Sequence, residues 1–164
     1  MKLSPNLDLV EVTRSESAKR KGIANNPTPE HLENLKRLAE KVFQPIREHF
    51  ATPINISSGY RSKALNAAVG GSTTSDHCYG RAIDIDMDGS SSEVSNNDIF
   101  HWIKDNLEFK QLIAEFPDAN GKLGWVHVAY GDGLNKGEIL IAVKKGTKTM
   151  YIPYKGNEKR VCES

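Results

Sequence analysis

Cysteine is scarce in this chain: Cys78 and Cys162 are the only two. That excludes a disulfide-stapled scaffold, and free thiols are the expectation, with a 78–162 bridge as the alternative. No run of about eighteen apolar residues occurs, so no membrane span is expected. The first dozen residues, MKLSPNLDLVEV, lack the apolar stretch of a secretory signal. Synthesis without an export signal is therefore expected. Neither charge dominates, with 22 basic against 21 acidic residues. A broad nucleic-acid-binding face is thereby disfavoured, and no nucleic-acid partner is expected. There is no internal repeat, low-complexity tract or interdomain linker.

What remains is a single domain spanning 1–164, long enough to bury a core on its own. Monomer is the expected state. Thr13 and Glu16 have the spacing of a capping box opening a short helix that Gly22 stops. Thr28 and Pro29 open the longest helix, whose leucines at 32, 35 and 38 with Val42, Phe43 and Ile46 make a core face. Pro45 is expected to kink it. Alternation predicts strands at 53–57 and 82–87, and residues 63–69 and 96–107 read as helices. Strands at 109–116 and 125–130 form an antiparallel pair, and 139–144 with 149–154 a final hairpin. The class is α+β: a central antiparallel sheet with helices packed on it.

The chain is organised around residues 57–86. His77 lies in a loop closed by Gly80, and Asp84 lies in the strand that follows. His127 sits between Val126 and Val128, which must point to the opposite face from it. If the valines are core, His127 looks into a cleft. A lone histidine in a strand is more often structural than a ligand. Two imidazoles and a carboxylate, however, are a donor set that zinc accepts, with a fourth position open.

Ser75, His77, Gly80, Ala82 and Asp84 fall in the pattern S-x-H-x-x-G-x-A-x-D. Ser58-Gly59-Tyr60-Arg61 and the stretch from Leu65 to Ser72 precede it, and Trp125 and His127 follow as W-x-H. These three elements, in this order over roughly residues 10–130, resemble a zinc peptidase family. That family holds the D-alanyl-D-alanine carboxypeptidases and related phage peptidoglycan endopeptidases, and shares its fold with hedgehog signalling domains. The nearer likeness is to the carboxypeptidase branch. The resemblance implies zinc held by His77, Asp84 and His127, and a substrate arginine at Arg61 that faces a carboxylate or oxyanion. It also implies a peptide of bacterial peptidoglycan as partner, and an enzyme that is phage endolysin-like or virion-associated. A non-catalytic wall-binding module of the same fold is the alternative.

Many members carry an acid three residues before the last histidine, where this chain has Gly124. Glu115 is the candidate base in its place, because its strand is expected to pair with that of His127 and an apolar strand rarely holds a glutamate. Gln111 shares its face, and Ser75, Gln111 and Trp125 are candidate substrate contacts. Cys78 is expected to pack rather than ligate. Asp86 and Asp88 mimic a calcium loop but lack its closing glutamate and read as surface carboxylates. His31, His49 and His101 read as ordinary helix residues, and Trp102 as core.

Overall fold

A computed structural model describes residues 1–156. Cys162, and with it any bridge to Cys78, lies outside the described residues. The chain begins with a small ribbon, β1 (Lys2–Ser4) and β2 (Leu7–Asp8), which runs into α1 (Leu9–Thr13). The capping box forms here, between Asp8 and Glu11. Thr13, read from sequence as such a cap, instead ends α1. Ser15 caps α2 (Glu16–Lys21), and Gly22 ends it in the left-handed region at φ 65°. The caps in use, Asp8 and Ser15, lie seven residues apart, and extended backbone at Arg14 separates the two helices.

The long helix starts as expected, with Thr28 as cap and Pro29 in the first turn of α3 (Pro29–Leu38). It then widens into a π-turn over Ala39–Phe43 and continues as α4 (Gln44–Phe50). The amide of Gln44 bonds to the carbonyl of Ala39, five residues back. Pro45 has no N–H to continue the ordinary ladder, and the wider turn absorbs that loss.

The main sheet comprises β3 (Ile56–Ser58), β4 (Ala82–Ile85), β5 (Gln111–Glu115), β6 (Trp125–Ala129), β7 (Glu138–Lys145) and β8 (Lys148–Pro153). Its order is β3-β4-β6-β5-β7-β8. Every pair is antiparallel except β5 with β7, so the sheet is mixed rather than wholly antiparallel. Between the strands lie α5 (Lys63–Ala68), a 3-10 turn over Asp76–Tyr79, and α6 (Asn96–Asn106).

The strand period separates two faces. Ile83, Ile85, Leu112, Ala114, Val126, Val128 and Ile141 enter the core, where they meet Leu35, Leu38, Val42, Phe43 and Ile46 of the long helix and Ile99, Phe100 and Ile103 of α6. The intervening residues face a cleft. No helix among the described residues is long and apolar enough to cross a membrane.

Candidate metal centre

Asp84 and His127 are direct partners across the β4–β6 pair. His127 Nδ1 lies 2.9 Å from Asp84 Oδ1, and His77 Nε2 lies 3.3 Å from the same oxygen. One ligand atom from each residue falls within 4.8 Å of the others, the one such cluster among the described residues. Its donors are the two imidazoles and the carboxylate expected from sequence, and the set fits zinc.

Local structure positions the candidate ligands. Ser75 Oγ accepts from the His77 amide at the start of the 3-10 turn. Gly80 ends that turn at φ 72°, and a Cβ there would lie 2.5 Å from the His31 carbonyl oxygen. Only glycine suits both the dihedral and the contact. The ring of His77 is set from behind. Its Nδ1 lies 2.7 Å from the Gly59 carbonyl oxygen, an atom that can only accept. Nδ1 therefore carries the proton, and the lone pair of neutral His77 is on Nε2, facing Asp84. Gly59 approaches α1 closely: a Cβ on it would lie 2.4 Å from the Val12 carbonyl oxygen.

Burial alone would raise the Asp84 pKa. The adjoining His77 and His127 outweigh it and hold the carboxyl well below the usual carboxylate range. For His127, burial opposes the charged ring, yet the Asp84 hydrogen bond and charge hold its pKa above the ordinary histidine value.

Glu115 pairs with Trp125, two residues along β6 from His127, and lies on the His127 face. It is 7% exposed, and burial pushes its carboxyl up to about 7. The Asp84 charge adds to the rise, while His127 and Lys144 oppose it. Gly124 is its immediate neighbour: the Gly124 amide donates to the Glu115 carbonyl oxygen at 2.8 Å. The position lacking an acid thus adjoins the one that has it.

A depression of about 870 Å³ joins the three candidate ligands to Arg61, Ser75, Gln111, Glu115 and Trp125. Every residue singled out from sequence is thus brought to one place. The Arg61 amide donates to the His77 carbonyl oxygen, and its buried Nε has no partner within the described protein. Trp125 packs on Phe116 with ring centroids 5.2 Å apart. Gln111 is already engaged, donating to Glu138 Oε1 at 2.8 Å. Asp76, which also lines the depression, is paired with Lys110 at 2.8 Å.

The residues set aside from sequence stay outside. Cys78 is buried and free among the described residues, and burial raises its thiol pKa. Asp86 accepts from Asn96, and Asp88 pairs with Lys122. His31 lies 2.9 Å from the Tyr60 hydroxyl, and His49 stacks on Trp102. Tyr151 on β8 went unnoticed in the sequence, yet it lines the depression. Its only signal is the alternation of residues 149, 151 and 153, which acquires meaning once β7 is known to pair with β5.

Two histidines and an aspartate, with a buried glutamate and an arginine whose Nε has no partner among the described residues, are an arrangement that suits a metallohydrolase. A profile of the Peptidase M15 family matches residues 5–116, and the chain belongs to that family of zinc-dependent metallopeptidases. The match includes His77 and Asp84 and ends before His127, which the β4–β6 register places directly opposite Asp84. No curated protein matches the chain.

Proposed function

We propose that this protein hydrolyses a peptide bond in bacterial peptidoglycan, in the stem peptide or its cross-bridge, in the manner of a phage endolysin. His77 Nε2, Asp84 and His127 Nδ1 would hold the zinc. When bound, zinc polarises a peptide carbonyl and lowers the pKa of bound water to roughly 7. Glu115 takes the proton of the attacking water as oxygen bonds to the carbonyl carbon. It then delivers that proton to the leaving nitrogen as the C–N bond breaks. A carboxyl whose pKa lies near neutrality suits both transfers. Arg61 donates to the developing oxyanion or to a substrate carboxylate. Trp125 forms a wall, and Ser75 holds the His77 turn.

The observation that carries this reading is Glu115, buried on the ligand face beside the glycine that replaces the usual acid. Gly124 by itself would favour a wall-binding module that does not hydrolyse. A buried ionisable group is costly without a role, and Glu115 supplies the base that such a module would not need. The enzyme would act on the wall after release from its host cell; attachment to a virion is the second setting.

Digestion of purified peptidoglycan by the zinc-loaded protein tests the proposal. Soluble peptides should appear, stop on addition of a chelator, and return with zinc. Binding to the wall with no hydrolysis in any condition would establish the non-catalytic module instead.

A further inference from the structure

The metal centre lies where two depressions meet. One, of about 490 Å³, extends past Ser57 and Tyr60 toward Arg14 and Glu16 at the start of α2. The other, of about 870 Å³, runs past Glu115 to Tyr151 on β8. Arg61, Val69 and Asp84 line both, so one of the three ligands stands at the junction. Each depression falls within the size range of a small-molecule site.

An enzyme that removes a single terminal residue needs its cleft to end one residue beyond the reacting bond. This cleft continues on both sides of Asp84. Its second arm combines β5, inside the family match, with β6, β7 and β8, which lie beyond its end at residue 116. Trp125, Glu115, Ala142 and Tyr151 are successive direct partners across β6, β5, β7 and β8. All four therefore project from one face. Tyr151 is 55% exposed, and the Glu115 and Asp84 charges add to burial in raising its hydroxyl pKa. Its ring is available to a ligand lying in the cleft.

Building on the peptidase reading above, we propose that this protein is an endopeptidase. It holds an extended peptide across the junction and cuts an internal bond, and the β7–β8 hairpin supplies one of its two binding arms through Tyr151.

Two substrates test it: cross-linked peptidoglycan sacculi, and muramidase-released monomers with free stem-peptide C-termini. Mass spectrometry should find fragments of more than one residue on each side of the cut. Release of a single terminal amino acid as the sole product would overturn the endopeptidase inference and leave the peptidase reading intact. Absence of hydrolysis from both substrates would overturn both.

Binding gives a readout independent of turnover. A stem peptide acetylated at its N-terminus and amidated at its C-terminus is titrated calorimetrically into metal-free protein. Tyr151→Ala and Arg14→Ala, on opposite arms, should each weaken binding by roughly three- to tenfold, the worth of one aromatic or polar contact. Loss of affinity in only one of the two variants, or binding that requires a free C-terminal carboxylate, would refute the two-armed cleft.

Discussion

Strands β4 and β6 present two faces with opposite demands. Toward the helices stand Ile83, Ile85, Val126 and Val128, all fully buried. Toward the cleft stand Asp84 and His127, one residue away in each strand. The first face needs only volume and apolarity, and it contributes stability through packing. The second places ionisable groups where burial penalises their charged forms. Adjacent residues thus serve stability and chemistry separately, and substitutions should separate them too.

The largest effect is expected on the cleft face. His77→Ala should lose stoichiometric zinc and with it turnover, while Cys78→Ala next to it keeps both. Metal analysis of protein purified without added metal checks this, and zinc retained after removal of both histidines would refute the ligand set.

Glu115→Gln should keep zinc while turnover falls by roughly a hundredfold to ten-thousandfold, the usual worth of a general base. It also carries a pH signature. Its folded pKa of about 7 lies above its ordinary value of 4.5, so the neutral form is the one the fold favours. The associated stability is fully present below about pH 4.5 and is lost as pH rises through about 7. Metal-free wild type should therefore lose stability relative to the glutamine variant across that window, by a few kcal/mol at most at about 1.4 kcal/mol per pKa unit. Parallel melting curves at pH 4.5 and 8 would show that Glu115 is well solvated.

Arg61→Ala should retain zinc and fold and lose about a hundredfold or more in turnover, as for an oxyanion donor. Wild-type kinetics would leave Arg61 with a structural role alone.

The smallest effect on chemistry belongs to the helix-facing side. Ile83→Ala should cost about 2–5 kcal/mol in unfolding free energy. Zinc content and turnover per folded molecule should be unchanged. A proportionate loss of zinc would mean that the two faces are not independent.

Much of this division was readable beforehand. Val126 and Val128 as core dictated that His127 look the other way, and the short turn between β5 and β6 put Glu115 near it. The leucines of the long helix marked their own inner face. Other features depend on geometry that a pattern does not encode. The parallel pairing of β5 with β7 depends on the path of residues 130–137, a connection without periodicity. The 3-10 turn carrying His77 is too short to show a helical repeat. Thr13 with Glu16 had the spacing of a cap, yet the helices are capped by Asp8 and Ser15 on either side of it. Tyr151 went unnoticed because Glu115, which shares its face, lies two strands away in the sheet.

Asp84 and His127 are 43 residues apart in sequence and directly opposite across the central pair. A slip of one residue in that pairing would turn His127 to the helix side and leave Asp84 facing a valine. The ion's ligand set thus exists only in the correct alignment. A metal that binds only the correctly paired chain stabilises it by about 2.7 kcal/mol when present at a hundred times its dissociation constant, and gives nothing to a slipped one. A metal held by these three residues would in that respect proofread strand pairing, apart from any chemistry it supplies.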